Sequence, residues 1–290
     1  MFGRLWRDLF SQLHIDGLTL DLDSTVMTRY GEQAGAVRGY NPSKRSRRSH
    51  HPIMAFVADT QMVANLWLPP GNAGSANNAC SFLADSLDRL GGKRVELLRA
   101  DAGFSHVSFL TALDAQGLNH IVALPVHQPL QRALVEQRAW WGIDEPGQYR
   151  YGVLTTNLNL PALAIWRLYR GRANCENRIK ELKYDFAAGS LCMQEFWASE
   201  ATLNVVMLAF NLMSLFRQVM LKTTPQHTLA TLRYKLFAQA AYITHEGRKR
   251  VLKLATAMRK RQWISGLWEQ SKKFHLPVVF TPVFVHEQVP

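Results

Sequence analysis

The chain has 290 residues, 47% of them apolar and 10% aromatic, which excludes a disordered polyampholyte and allows one large core or two modest ones. Lys and Arg outnumber Asp and Glu 34 to 22, and the resulting +12 favours a polyanionic partner, either nucleic acid or an anionic membrane surface. Cys80, Cys175 and Cys192 lack metal-ligand spacing and read as reduced thiols of a cytoplasmic protein, and the N-terminus lacks the apolar region of a signal peptide.

In chain order, the first clear element is Leu18 to Ser24. Leu18, Leu20 and Leu22 alternate there with Thr19, Asp21 and Asp23, the period of a strand with one apolar face. A polar, strongly basic loop follows from about Tyr30 to His51, ending in GYNPSKRSRRSHHP. Two β-rich runs, PIMAFVADT and MVANLWLP, come next, joined by a short turn. Phe82, Leu83, Leu87 and Leu90 repeat at helical spacing and Gly91-Gly92 closes that helix. Val95 to Ala100 reads as a buried strand ending at Asp101, then a helix over Ser105 to Gln116 leads to a strand at His120 to Pro125.

Three strands, helix, strand, helix and strand predict an α/β fold, a mixed sheet flanked by helices. Residues 126–160 read as a small insertion holding Trp140-Trp141 and a strand-like run, YRYGVLTTN, and from Leu160 the chain reads as mostly helical to about Leu254. The division expected is an N-terminal remnant over 1–17, a catalytic domain over 18–190, and a helical C-terminal region over 191–290 packed on it. Leu203 to Leu221 has the length of a membrane helix. Asn204, Asn211, Ser214 and Arg217 are costly in hydrocarbon, so it reads as a buried helix and no membrane partner is expected.

Residues 162–186 predict one long helix. At about 100° per residue, Leu168, Cys175, Ile179, Leu182 and Phe186 form its core stripe. Arg167, Arg170, Asn174, Asn177, Arg178 and Glu181 fall on a solvated face. Tyr169, Arg172, Glu176 and Lys183 line up beside the core stripe, where polar groups are costly unless something compensates their burial. An ordinary surface pair between Arg172 and Glu176 is the plainer alternative.

At this helix the sequence resembles the DDE transposases of bacterial insertion sequences, one branch of which carries a Tyr-x2-Arg-x3-Glu-x6-Lys signature. Here the signature stands as Tyr169, Arg172, Glu176 and Lys183. The runs LDLDST and LLRADAGF resemble the blocks around that family's two aspartates, and the basic loop has its counterpart too. The group most resembled is insertion-sequence family 1380, from about Leu18 to the end of the chain.

The resemblance implies a ribonuclease-H-like fold whose central strand carries the first aspartate. It implies that Asp23, Asp101 and Glu176 hold two Mg²⁺ ions, with Mn²⁺ able to substitute; Mg²⁺ is a hard ion that prefers such oxygen ligands. Asp21, two residues away on the same strand face, remains an alternative to Asp23, and capping of the next helix an alternative for Asp101. Arg172 and Lys183 are expected to position DNA phosphates, with Tyr169 packed beside them and Lys180 near the same face. Lys44, Arg45, Arg47 and Arg48 are read as phosphate contacts, against a merely solvated loop. Trp140 and Trp141 are read as core packing, with stacking on an unpaired base as the alternative. Arg248, Lys249, Arg250, Lys253, Arg259, Lys260 and Arg261 form a second basic cluster.

The partners implied are double-stranded DNA, as transposon ends and target, and a second copy in a homodimer assembled on DNA, in the cytoplasm with the nucleoid. Family members carry a sizeable region before the first catalytic strand, which here starts at Leu18, so whether specific transposition is kept with the metal site is left open by the sequence. A nuclease of the same fold and a silent DNA-binding fragment are the competing functions.

Overall fold

A computed structural model describes residues 2–15, 17–140, 152–222 and 227–284. Helix α1 (Phe2–Ser11) and strand β1 (Leu13–His14) precede β2 (Leu18–Ser24). Three short strands, β3 (Met27–Thr28), β4 (Val37–Arg38) and β5 (Arg48–His50), lead to β6 (Ile53–Val57) and β7 (Met62–Trp67). Then come α2 (Ala79–Arg89), β8 (Val95–Ala100), α3 (Val107–Ala115), β9 (His120–Leu124), α4 (Gln128–Trp140) and β10 (Val153–Thr156). Helices α5 (Ala162–Arg170), α6 (Ala173–Tyr184) and α7 (Phe196–Leu215) follow, the last continued by a π-helical stretch, Phe216–Leu221. The chain goes on through α8 (Leu229–Leu232), β11 (Ala240–Glu246), β12 (Lys249–Ala255), α9 (Met258–Lys272) and β13 (Val278–Val279).

The central sheet has six strands in the order β10-β9-β8-β2-β6-β7. Strands β2, β8 and β9 run parallel, and the pairs β2–β6, β6–β7 and β9–β10 are antiparallel. A strand in the middle of a sheet with both faces covered has no solvent side. Thr19, Asp21 and Asp23 are therefore buried along with the leucines that alternate with them. Leu20, Leu22 and Leu98 pack with Phe82, Leu83, Phe109 and Leu113 in the main core, and Leu97, on the opposite face of β8, joins Ile121 and Ile165 in a smaller one.

Five expectations need correction. The helix over 162–186 is broken into α5 and α6, because Arg99 reaches up from β8 and donates from Nη1 to the Leu168 carbonyl at 2.6 Å. That carbonyl is the acceptor a continuous helix would offer to the Arg172 N–H, which donates to Tyr169 instead at 2.9 Å. Gly171 leaves the room: a Cβ there would lie 2.7 Å from Arg99 Nη1. Glu181 is 5% exposed, not solvated, since Arg217 of the α7 extension and Arg178 both pair with it.

The basic loop is partly ordered as a small sheet, β3-β5-β4. Val153–Thr156 is no insertion strand but the edge of the central sheet, paired to β9. Residues 240–255 form an antiparallel hairpin where helix was expected. Trp141 lies outside the described residues, as does the side chain of Trp140, so neither reading of that pair is decided.

Residues 2–11, set apart in the sequence as a remnant, form α1, whose Trp6 and Phe10 are buried in the main core. The α7 helix with its extension is long and apolar enough to cross a membrane by length and composition alone. Its polar residues are spent on protein instead. Strand β7 is a sheet edge, and the Asn211 amide takes the place of a further strand: Nδ2 donates to Val63 O at 2.8 Å and Oδ1 accepts from Val63 N at 2.7 Å. Ser214 Oγ donates to Thr60 O at 3.0 Å.

Candidate active site

The parallel register brings two aspartates together. Asp21 lies beside Arg99 and Leu22 beside Ala100, so Asp23 and Asp101 follow side by side at the ends of adjacent strands. The start of α6 lies over them. Burial and charge then give each carboxylate a different environment.

Asp21 is held by Arg99 in a bidentate pair, with Nε to Oδ1 at 2.6 Å and Nη2 to Oδ2 at 2.8 Å. Both residues are buried, so both oxygens of Asp21 are committed to a buried guanidinium. Asp23 is committed less. Its Oδ1 accepts from Ser24 N at 2.7 Å and its Oδ2 lies 3.1 Å from Arg172 Nη2. Burial pushes its pKa from 3.8 up to about 6; Arg172 opposes the rise, and the negative charges of Asp101 and Glu176 add to it.

Asp101 accepts from Gly103 N at 3.1 Å and so caps the short 3₁₀ turn Ala102–Phe104, while its carboxylate also borders the cleft. The capping bond and the cleft lining coexist in this residue. Its pKa is raised, by burial first, against the pull of Arg172, the Gly103 N–H and His51. Glu176, in the first turn of α6, is exposed and acts on both aspartates through its charge.

Arg172 is the centre of the group. It is 6% exposed, and Nη2 donates to Leu22 O at 3.2 Å as well as facing Asp23. Burial lowers its pKa, but Asp23, Tyr169 and Asp101 together outweigh burial and leave it raised. Its Nε is buried with no hydrogen-bond partner. The surface pair with Glu176 is not seen among the described ion pairs. Burial raises the Tyr169 pKa, against the opposing charge of Arg172.

Lys183 donates to Val26 O at 3.0 Å and to Thr25 Oγ1 at 3.3 Å, and its pKa is lowered by burial and then by Arg29. It lines an open cleft with Asp101, His51, Tyr40 and the turn Gly71–Ala76. Lys180 is exposed. Arg45, Arg47 and Arg48 line a separate concavity together with Arg29 and Arg38, whereas Lys44 lies outside it.

The chemistry of the donors suits a hard divalent cation: carboxylates, of which Asp23 is buried and Asp101 partly so, side by side and both with raised pKa values. Among the described residues, however, no three acidic, histidine or cysteine side chains converge closely enough to form a metal cage. The positive charge at the centre is the Arg172 guanidinium. The site therefore has the ligand types for metal, in an arrangement compensated by arginine.

Sequence reasoning missed Arg99 and Tyr40, and placed His51 only in the basic loop. Arg99 left a signal, since an arginine inside the apolar strand VELLRA requires a buried carboxylate partner. His51 and Tyr40 left none beyond their place in the basic loop.

A model of the family described as Transposase DDE domain group 1 matches residues 3–140 and 143–273. The chain belongs to this family. No curated protein sequence matches it. Among solved structures, piggyBac transposase in a synaptic complex with hairpin DNA is similar over 75% of this chain, with a TM-score of 0.51 and 11% identity. The chain spans about half of that protein's length, 51%.

A simian T-cell lymphotropic virus intasome in complex with a PP2A regulatory subunit matches at 13% identity and TM-score 0.33, over 81% of this chain and 60% of that one. The Mos1 mariner paired-end complex with Mn matches at 10% identity and TM-score 0.27, over 62% and 59%. The likeness to piggyBac transposase bears on the fold, which in this DDE transposase domain is ribonuclease-H-like.

Proposed function

We propose that this chain is the catalytic core of an insertion-sequence transposase, of insertion-sequence family 1380, that cuts and rejoins phosphodiester bonds at transposon ends. The observation that carries the reading is the pair Asp23 and Asp101, set side by side by the parallel register of β2 and β8, with Arg172 and Glu176 brought over them by α6. Asp23, Asp101 and Glu176 are the residues that would hold two Mg²⁺ ions, or Mn²⁺ in their place. Bound there, the ions would supply charge for the attacking and leaving oxygens of an in-line displacement.

The chain's own residues do the rest. The Ser24 N–H fixes one oxygen of Asp23 and the Gly103 N–H one oxygen of Asp101, so both carboxylates are oriented before DNA arrives. Asp21 is excluded from ligand duty by its two bonds to Arg99 and instead braces the strand. Arg172 neutralises Asp23 in the resting site, and a phosphate entering the cleft offers its guanidinium a second anionic partner. Lys183 borders the same cleft and fixes a neighbouring phosphate. Lys44, Arg45, Arg47 and Arg48 extend this basic surface, with Lys180 and Tyr169 at its border. Duplex DNA is the substrate class, and a homodimer on DNA in the nucleoid is the assembly.

A pre-cut DNA end incubated with a plasmid target and Mg²⁺ tests the reading. Joined products support a transposase; cleavage without joining assigns the chain to nucleases of the same fold.

A further inference from the structure

Strands β11 and β12 form a seven-pair antiparallel ribbon closed by the two-residue turn Gly247-Arg248, with Gly247 at φ +62 as a primed hairpin turn requires. A two-stranded ribbon on its own is marginally stable, because it has no third layer to bury its faces against. This one is exposed along nearly its whole length: Tyr242 is 58% exposed, Ile243 63% and Leu252 61%. Its outer half carries Arg248, Lys249 and Arg250, and Lys253 lies nearer the base, opposite Tyr242. Only Lys253 has an acidic partner among the described ion pairs, Glu246 at 3.1 Å.

The strand alternation sorts these side chains. Ile243 faces Leu252 across the ribbon, with Leu254 on the same side and His245 and Arg250 nearer the tip. Helix α9 then begins with Arg259, Lys260 and Arg261 a few residues past the ribbon's base. From Ala240 to Lys273 there are nine Lys and Arg against two Glu. Helix α8, ahead of the ribbon in the chain, is tied to α6: Leu229 N and Ala230 N donate to Glu181 and Asp185 near its end, at 2.8 and 2.9 Å.

We infer that the β11–β12 ribbon is a DNA-docking arm that lies in the major groove of duplex DNA outside the catalytic cleft, its cationic tip on the phosphates. The inference rests on the reading of the chain as a DNA-acting transposase. The charge of the outer half is complementary to a phosphate backbone, and a two-stranded ribbon is of a width that the major groove admits. The apolar pairs behind the tip suit thymine methyl groups, which only that groove displays.

The test is duplex binding by the full chain across a salt series, wild type against R248A/K249A/R250A. The three side chains are exposed, so the variant should keep the wild-type thermal midpoint. Expected are weaker binding, tenfold or more at moderate salt, and a log–log salt slope shallower by about 2.7, since each phosphate contact contributes roughly 0.9. Unchanged affinity and slope in a folded variant overturn the inference. A second variant, I243T/L252T, is run by sedimentation velocity without DNA. If it alone converts a dimer to a monomer, the apolar face joins two copies of the chain and the docking arm is wrong. Wild type that binds no duplex and nicks no DNA with Mg²⁺ instead removes the transposase reading itself, which separates the two failures.

Discussion

Replacing Asp23 by Asn should stabilise the metal-free protein at neutral and alkaline pH. Burial raises the Asp23 carboxyl from 3.8 to about 6, so ionising it in the folded chain is unfavourable. At roughly 1.4 kcal/mol per pKa unit the cost is about 3 kcal/mol. The attraction of Arg172 is already contained in that value, because it is one of the contributions that sets it. For an acid whose folded pKa is raised, the favourable contribution is complete below the unfolded value and disappears as pH climbs through the folded one.

Wild type therefore loses stability between about pH 4 and pH 7, while Asp23→Asn lacks this component. At pH 8 the variant should be more stable by up to about 3 kcal/mol, or roughly 5 °C in thermal midpoint for a chain of this size. Near pH 4 the two should coincide. Denaturant and thermal melts across this range, in chelator, provide the measurement. Mg²⁺ should then raise the wild-type midpoint and leave the variant where it was. A variant less stable than wild type at pH 8, or a difference that ignores pH, would refute the reasoning.

Two further outcomes follow from the pairs around the site. Asp21→Ala leaves Arg99, 1% exposed, without its carboxylate, and should cost about 3–5 kcal/mol; a denaturant midpoint within 1 kcal/mol of wild type would sink the bracing role. Asp85 accepts from Trp67 Nε1 at 2.7 Å, Asn65 Nδ2 at 2.9 Å and Arg89 Nε at 3.1 Å, and although burial raises its pKa these donors win and lower it. Its stabilisation is thus present above the ordinary carboxylate pKa and lost as pH falls, so Asp85→Asn should cost about 1–3 kcal/mol at pH 7 and progressively less on acidification.

The parts of the site that were legible in the sequence depend on local spacing. The alternation in LTLDLDS placed Asp23 on a strand, the run VELLRA placed Asp101 at a strand end, and the wheel grouped Arg172, Glu176 and Lys183, which α6 and its N-cap carry, while Tyr169 falls on α5 across the break. Each needs only neighbours a few residues away. The different surroundings of Asp21 and Asp23 were illegible, because the partner of Asp21 is Arg99, 78 residues away. The same arginine breaks the helix at Gly171, a tertiary event that helical periodicity cannot register.

Glu181 looked solvated for a related reason: its partner Arg217 lies 36 residues on, in the π-helical extension of α7. The hairpin at 240–255 is different, because its signal was present. Tyr242, Ile243 and Thr244 before Gly247, and Val251 after it, are strand formers around a turn residue. The many Lys, Leu and Ala residues nearby read as helix and masked it. Strand β10 showed as a strand-like run, but its pairing did not, because its partner β9 lies 29 or more residues earlier across the stretch taken as an insertion.

The most direct test of the central claim is metal-dependent nicking of supercoiled DNA by wild type, Asp23→Ala, Asp101→Ala and Glu176→Ala. Each variant is first shown to be folded by circular dichroism. The account predicts that wild type nicks with Mg²⁺ or Mn²⁺ and not in chelator, and that each of the three variants is inactive. Equal nicking by all four proteins would contradict it.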